Sequence, residues 1–248
     1  MSKTAARQRA NARRIVEQQK AADRRRRVTL WTTVAVVLVL VIAGLVGWSQ
    51  FSNQQSDTAA KLVTPSVAVD QGTAFKVGTG PVQVDLYEDF QCPICNEFEH
   101  STGATVAQLV SQHKITVFYH PVSILDRESN GTEYSTRSAG AAAAAAEGGK
   151  FIEYHNALYQ NQPAEGSDGL TNAQLIDLGK TVGLGTAFAN AVNNKTYDAW
   201  AAKATDTFSA RGYNGTPTIL VAGKVVQGPN QTLPTTAVFT QAVTQAGA

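Results

Sequence analysis

Residues 82–98 read VQVDLYEDFQCPICNEF, and this stretch decides the fold. Its first part, Val82 to Leu86, alternates apolar and polar side chains, which predicts a half-buried strand. From Pro93 onward the apolar residues recur at helical spacing, and proline is common in the first turn of a helix. The sequence therefore predicts a strand that runs through a C-x-x-C segment directly into a helix.

Cys92 and Cys95 are the two cysteines of the 248-residue chain. The predicted topology places Cys92 at a helix N-terminus, where unpaired backbone N–H groups and the helix dipole stabilise a thiolate. Such sites lower a cysteine pKa from about 8.5 to roughly 3.5–7.5, and the thiolate is the nucleophilic form. Cys95 lies one turn later, within reach of Cys92. The pair can close reversibly into a disulfide, which indicates redox chemistry without a cofactor.

Two other uses of the pair are a structural disulfide and a metal site. A disulfide between residues three apart closes a small loop, and stabilisation by loop closure grows with loop length. A structural zinc site needs about four ligands. The chain offers one C-x-x-C and four scattered histidines, His100, His113, His120 and His155. The sequence favours a redox-active pair, and we predict no metal.

The amino-terminal end carries a strong charge asymmetry. Residues 1–27 hold ten Lys/Arg and two acids, a net charge of +8, which leaves eleven basic and seventeen acidic residues, net −6, in the rest. Residues 28–48 (VTLWTTVAVVLVLVIAGLVGW) carry no charge and are long enough to cross a bilayer as a helix. Because the positive-inside rule keeps the arginine-rich flank in the cytoplasm, we predict a basic cytoplasmic tail at 1–27 and an uncleaved signal anchor at 28–48.

Two other interpretations of the amino-terminal segment fit its sequence less well than a signal anchor does. A cleaved signal peptide has an apolar core of about 7–15 residues with a small-residue cleavage site close behind, whereas Trp48 to Phe51 is a poor site. A basic tail can bind nucleic acid, but a charged flank beside a membrane helix is the simpler explanation, and we predict no nucleic-acid partner. The prediction is a single-pass protein of the cell membrane with its carboxyl-terminal part extracytoplasmic, a compartment in which disulfides persist.

After the anchor we predict a linker at 49–65 and a mixed α/β domain at 66–248. The predicted order is β-β-α-β, a helical block at about 128–212, and β-β-α; its first two strands, around Val67–Val69 and Ala74–Val77, are predicted as a hairpin or meander. This order implies a mixed central sheet with helices on both faces. Thr171 and Gln174 predict a capping box in the helical block, and Ser101–Gly103 is a predicted weak point of the helix after Cys92.

Three segments of this domain carry a family resemblance: Tyr87 to Cys95, Val117 to Pro121, and Gly215 to Thr218. With the predicted elements, they make about residues 66–246 similar to the thioredoxin superfamily, and within it to the DsbA-like thiol–disulfide oxidoreductases of bacterial envelopes. The resemblance implies a thioredoxin-like fold with an inserted helical subdomain, and protein thiol–disulfide oxidoreductase activity.

The resemblance also implies roles for the cysteine segment. Cys92 would be the nucleophile that forms a mixed disulfide with substrate, and Cys95 would be the resolving thiol. Pro93 and Ile94, between the cysteines, would tune the redox potential.

Thr216 and Pro217 resemble the cis-proline loop of the family. Pro217 would lie in cis against the cysteine pair, and Thr216 would present its backbone to an extended substrate. The other interpretation is an ordinary turn before an edge strand.

Proton transfer is the remaining role that the resemblance raises. Many relatives have a buried acid about six residues before the first cysteine, a position that is Leu86 here. Glu88 and Asp89 lie closer, and either could carry a proton to or from Cys95. The alternative is that both are solvated loop carboxylates.

The combined prediction is a membrane-anchored enzyme that introduces disulfides into exported, unfolded proteins with free thiols. The predicted partners are those substrates, the lipid bilayer and, from the resemblance, a membrane reoxidase. The alternatives are a reductase or isomerase with the same chemistry, and a non-enzymatic tethered binding protein on a thioredoxin scaffold, since fold alone does not settle function.

Overall fold

The computed structural model of the chain describes residues 62–247. The predicted tail and anchor, and nearly all of the predicted linker, lie outside the described residues. Among residues 62–247, no helix combines the length and the apolar character that a membrane span needs.

Five strands form one mixed sheet within the described residues. They are β1 Phe75–Gly78, β2 Val82–Glu88, β3 Ile115–Pro121, β4 Thr218–Val221 and β5 Lys224–Val225. The spatial order is β1-β3-β2-β4-β5. β2 pairs in parallel with β3 and antiparallel with β4, while β1 and β5 are antiparallel edge strands. The predicted mixed sheet is therefore confirmed, with β2 at its centre.

Seven helices accompany the sheet in this part of the chain. They are α1 Pro93–Ser111, α2 Tyr134–Glu147, α3 Phe151–Gln160, α4 Asn172–Thr181, α5 Thr186–Asn193, α6 Asp198–Ala210 and α7 Thr236–Gln245. α1 follows β2, α2 to α6 lie between β3 and β4, and α7 comes last. Single 3₁₀ turns occur at Asp126–Glu128 and Pro229–Gln231.

Side chains of β2 divide between two cores because successive residues of a strand point to opposite faces. Leu86 lies in the larger core with Phe98 of α1 and Phe239 of α7. Tyr87 lies in a smaller core with Phe208 of α6. Helices thus cover both faces of the sheet, as predicted, and a strand buried on both faces supports the site at its carboxyl end.

The predicted first hairpin is reduced to a single bridge, Val69 to Ala74. Beyond this bridge the chain pairs elsewhere, because Phe75–Gly78 form β1 against β3. The predicted weak point at Ser101–Gly103 is also wrong, because α1 continues unbroken through it.

The predicted capping box is confirmed at the start of α4. The Gln174 backbone N–H donates to Thr171 Oγ1 at 3.3 Å, and the Thr171 N–H donates to Gln174 Oε1 at 2.8 Å. This reciprocal pair satisfies two of the free N–H groups at that helix end.

The turn between β1 and β2 depends on Gly80. A Cβ atom at this position would lie 2.2 Å from backbone atoms of Lys114 and Ile115, which cannot rotate away as a side chain can.

We expect Gly80→Ala to lower the free energy of unfolding, measured by urea denaturation, by about 1–3 kcal/mol, as at other overpacked sites. Gly215→Ala is the matched control, since open space surrounds its Cβ, and equal losses in the two variants would contradict this account.

Candidate active site

The cysteine pair lies where β2 gives way to α1. β2 ends at Glu88 and α1 begins at Pro93, with Cys92 as its N-cap residue. Both thiols are free, and the side chain of Cys92 makes no capping hydrogen bond. Cys92 is 6% exposed and Cys95 is 0% exposed. One sulfur therefore lies at the surface of the site and the other beneath it.

The surroundings of Cys92 favour its thiolate. The pKa of Cys92 is lowered to about 6, first because the Cys95 thiol donates a hydrogen bond to it, and also because the N–H groups of Cys95 and Ile94 point at its sulfur. Burial opposes this shift without cancelling it. The Cys92 thiolate is thus stabilised by the helix N-terminus, as predicted, and also by a hydrogen bond from the second thiol.

Cys95 has the opposite environment. Burial raises its pKa well above the usual value, and the hydrogen bond to Cys92, the Cys92 charge and the Glu88 charge raise it further. The two thiols therefore differ in charge near neutral pH: Cys92 is largely a thiolate and Cys95 is a thiol.

The loop before β4 reaches the same sulfur from 124 residues away in the chain. The Thr216–Pro217 peptide bond is cis, and Cys92 Sγ lies 3.3 Å from the Thr216 carbonyl oxygen. The Thr216 hydroxyl is buried without a hydrogen-bond partner, and its attraction for the thiolate helps to lower the Cys92 pKa. Thr216 can thus accept from the thiol with its carbonyl and donate to the thiolate with its hydroxyl.

A groove of about 340 Å³ extends from this loop. Ile94 projects into it from α1 and is 44% exposed, an unusual value for a large apolar side chain in this domain. Tyr213, Pro217, Val225 and Leu233 form further apolar parts of the lining. The groove can take an extended chain beside the Thr216–Pro217 loop.

Asp89 is buried and fully hydrogen-bonded. Its Oδ1 accepts from the Gln91 N–H at 2.9 Å and from Ser135 Oγ at 2.7 Å, and its Oδ2 accepts from the Leu125 N–H at 3.0 Å. Burial raises the Asp89 pKa to about 7, although these bonds oppose the shift. Asp89 therefore ties the segment before Cys92 to the β3–α2 loop and to α2.

Glu88 is buried in a different set of contacts. Its Oε2 lies 3.0 Å from His155 Nε2 on α3, while its Oε1 has no hydrogen-bond partner. Burial raises the Glu88 pKa to about 8, and a carboxylate oxygen of Glu99 on α1 lies within 4.8 Å of a Glu88 oxygen. The alternative of solvated loop carboxylates is wrong for both Glu88 and Asp89, because each is at most 2% exposed.

Several contributors to the site were not found by sequence reasoning. Gln162 Nε2 donates to the carbonyl oxygens of Phe90 and Cys92, at 3.0 and 2.9 Å, and so holds the bend before α1. His155 and Glu99 complete the carboxylate cluster. The available signal for Glu99 was its position four residues after Cys95, one turn along the same helix; nothing in the sequence links α3 or Gln162 to this site.

The fold and the site together define a thioredoxin-like protein with a dithiol at a helix N-terminus and a cis-proline loop against it. A family model described as thioredoxin matches residues 78–237. Because the match covers more than half of the 248 residues, the chain belongs to the thioredoxin family.

Two solved structures share both sequence and fold with the chain. The reduced form of the disulfide bond oxidoreductase DsbG from Mycobacterium tuberculosis is 31% identical, with a TM-score of 0.63, over 72% of this chain and 90% of that chain. Oxidised DsbA from the same organism is 31% identical, with a TM-score of 0.61, over 71% and 93%. These matches support thiol–disulfide oxidoreductase activity for the chain.

Among curated proteins, the serine/threonine-protein kinase PknE of Mycobacterium tuberculosis is 26% identical over 168 residues. The alignment takes in 64% of this chain and 30% of the kinase. The chain therefore spans less than a third of the length of this relative.

The difference between the two thiols gives a direct prediction. Titration of the reduced protein by thiolate absorbance should show Cys92 with a midpoint of about 6. Cys95→Ala should raise that midpoint because it removes the main hydrogen-bond donor, and Cys95→Ser, which keeps a hydroxyl donor, should raise it less. A wild-type midpoint near the value of about 8.5 for free cysteine, or equal midpoints in the two variants, would contradict this arrangement.

Proposed function

We propose that the protein is a membrane-anchored, extracytoplasmic thiol–disulfide oxidoreductase that introduces disulfides into exported proteins. The observation that carries this proposal is the Cys92 sulfur, which lies at the amino end of α1 and 3.3 Å from the Thr216 carbonyl oxygen of the cis-proline loop. A substrate that lies along this loop would present its own sulfur to Cys92.

The reaction exchanges two thiols for one disulfide. A substrate thiolate attacks Cys92 Sγ of the oxidised pair, the Cys92–Cys95 bond breaks, and Cys95 leaves as a thiolate that takes up a proton. A second substrate thiolate then attacks the substrate sulfur of the mixed disulfide and releases Cys92 as a thiolate. The substrate is oxidised by two electrons and the enzyme pair is reduced by two.

The direction of the reaction follows from the stability of the reduced form. A low Cys92 pKa stabilises the reduced enzyme, and a more stable reduced form makes the disulfide a stronger oxidant. A Cys92 pKa of about 6 lies below the value near 7 of thioredoxin and above the value near 3.5 of the strongly oxidising DsbA. The lowered pKa of Cys92 supports an oxidising role.

The groove beside Pro217 supports the choice of an unfolded protein as substrate. Ile94, Tyr213 and Leu233 offer apolar contacts. The backbone of a substrate chain that lies across Thr216 is free to form hydrogen bonds with the backbone of the loop. Pro93 and Ile94 contribute differently: Pro93 starts the helix, whereas Ile94 contacts the substrate. A folded protein would not fit a groove of about 340 Å³.

Membrane anchorage and a membrane reoxidase complete the proposal. The uncharged run at residues 28–48 and its arginine-rich flank support the anchor. Electron balance requires an oxidant that restores the Cys92–Cys95 disulfide, because each substrate disulfide leaves the enzyme pair reduced by two electrons. The family resemblance supports a membrane reoxidase in this role.

The reduction potential tests the redox role. Equilibration of the protein with glutathione should give a potential well above that of thioredoxin, about −270 mV. Refolding of a reduced, disulfide-containing protein should be accelerated by wild type and lost in Cys92→Ser, while Cys95→Ser should accumulate the mixed disulfide. A potential near −270 mV would assign the protein to the reductases, and preferential rescue of a scrambled substrate would assign it to the isomerases.

The location of the domain needs its own measurement. A protease added to intact cells without an outer barrier should remove an epitope tag placed after Ala248, because the anchor would expose the carboxyl-terminal domain. A tag protected until the membrane is lysed would place the domain in the cytosol and contradict this part of the proposal.

A further inference from the structure

Three side chains from three different elements meet inside the domain. Glu88 ends β2, Glu99 lies on α1 and His155 lies on α3. One ligand atom of each lies within 4.8 Å of the ligand atoms of the other two. Glu88 is 2% exposed and His155 is 1% exposed. Two carboxyl groups and one imidazole therefore share a mostly buried site.

This cluster offers more hydrogen-bond acceptors than donors. The Oε1 atoms of Glu88 and Glu99 are buried and have no hydrogen-bond partner. The ion pairs of residues 62–247 bring no lysine or arginine to either glutamate. Buried polar groups normally have a partner, and buried charges are paired or coordinate a metal. The two glutamates therefore have lone pairs to offer to a cation.

His155 has the tautomer that a metal ligand needs. Its Nδ1 lies 3.2 Å from Asn156 Oδ1, an acceptor, so Nδ1 carries the ring hydrogen. Nε2 then has a free lone pair, and it lies 3.0 Å from Glu88 Oε2, which is also an acceptor. Histidines that bind metals almost always donate their other ring N–H to an oxygen. Asn156 is therefore the outer partner that orients His155.

A cavity of about 370 Å³ between α1 and α3 gives access to the cluster. Glu99 lines this cavity, and so do Asn96 and Asn156. Asn96 Oδ1 is a further buried oxygen without a hydrogen-bond partner, about one turn before Glu99 on the same helix. The cavity and the substrate groove share no lining residue. An ion and its water ligands can therefore reach Glu99 without entering the groove.

We propose that Glu88, Glu99 and His155 form a binding site for a divalent transition-metal ion. Carboxylate oxygens and an imidazole nitrogen together suit ions such as Zn²⁺, and two carboxylates balance the charge of the ion. A proton bridges two acceptors, whereas one ion bridges all three side chains. Three protein ligands leave further coordination positions for water from the cavity.

The ion would link the central strand, the helix that carries the cysteines and the helical block. A ligand that binds only the folded protein raises its stability, so the site would reinforce the junction between β2 and α1. The cluster contains neither cysteine sulfur, and the redox interpretation of the Cys92–Cys95 pair is unaffected. The site is also independent of the direction of thiol exchange.

The sequence did not predict this site. Sequence reasoning searched for cysteines and histidines at ligand spacing and predicted no metal. The ligands found here are mainly carboxylates, and Glu88 and His155 are 67 residues apart in the chain. Only the packing of α3 beside α1 and the end of β2 brings them together.

Metal titration of the oxidised protein tests the site. The disulfide leaves no cysteine thiolate, so the cysteine pair cannot account for any binding. The full chain, purified in detergent without a polyhistidine tag, is titrated with Zn²⁺ by calorimetry and with Co²⁺ by absorbance. We expect one ion per chain, cobalt d–d bands without a thiolate charge-transfer band, and a higher Tm in the presence of Zn²⁺.

Variants of the cluster identify the ligands. Asn156→Ala removes the acceptor that orients His155 and should weaken Zn²⁺ binding by about tenfold to a hundredfold, the usual effect of losing an outer partner. Asn156 is exposed, so this variant should fold. Glu88→Gln and Glu99→Gln keep the side-chain size, should weaken binding more than Asn156→Ala does, and should lose the rise in Tm.

Glu97 and His100 provide matched controls. Both are exposed residues of α1, and Glu97→Gln and His100→Ala should bind Zn²⁺ as wild type does. Loss of binding in His100→Ala would place the ion at a surface histidine and overturn the assignment. Equal affinities of wild type and Glu99→Gln would also overturn it. So would the absence of binding by wild type, which would mean that protons alone satisfy the clustered acceptors.

Discussion

The stabilisation of one sulfur at the amino end of α1 is the interaction on which the site depends. Cys92 is the N-cap residue, and its side chain makes no capping bond, so the free N–H groups of the first turn remain available to its thiolate. Cys95 adds a hydrogen bond from its thiol. Helix geometry thus supplies both an electrostatic site and, one turn later, the second thiol.

This arrangement needs a rigid bend between β2 and α1. Asp89 accepts three hydrogen bonds, and Gln162 donates to two carbonyl oxygens of the bend. Asp89 accepts from Leu125 in the β3–α2 loop and from Ser135 in α2, and Gln162 itself lies just after α3. The helical block therefore does more than cover the sheet: it holds the strand-to-helix junction in the one conformation that presents Cys92 Sγ to the Thr216 loop.

Glu88 and Asp89 show how neighbouring acids acquire different roles. Residues next to each other at the end of a strand point in different directions, so Asp89 meets backbone N–H donors, whereas Glu88 meets another carboxyl group and an imidazole. A carboxylate that accepts several hydrogen bonds, such as Asp89, fixes the conformation of the segments that donate them. A carboxyl group that lacks donors holds a proton, and burial raises its pKa toward the range in which an enzyme at neutral pH can use it.

Local patterns in the sequence determined the elements and the position of the cysteine pair. Alternation in Val82 to Leu86, helical spacing after Pro93 and the capping box at Thr171 are interactions between near neighbours, which a sequence displays directly. The cysteine pair and the Thr216–Pro217 loop were also identifiable, because their residue types and order resemble a known family. The predicted pairing of Val67–Val69 with Ala74–Val77 is reduced to one bridge, and residues 75–78 pair with β3, a long-range contact that the apolar pattern does not display.

Only the tertiary structure decided which polar groups surround the sulfurs. His155, Glu99 and Gln162 meet the site through the packing of α3 against α1 and β2, and burial alone distinguishes Glu88 and Asp89 from solvated loop carboxylates. Their pKa values depend on desolvation and on distant partners, such as Ser135, which lies 46 residues after Asp89 in the chain. Sequence patterns report local geometry, whereas the charge of a buried group depends on everything the fold brings within a few ångströms of it.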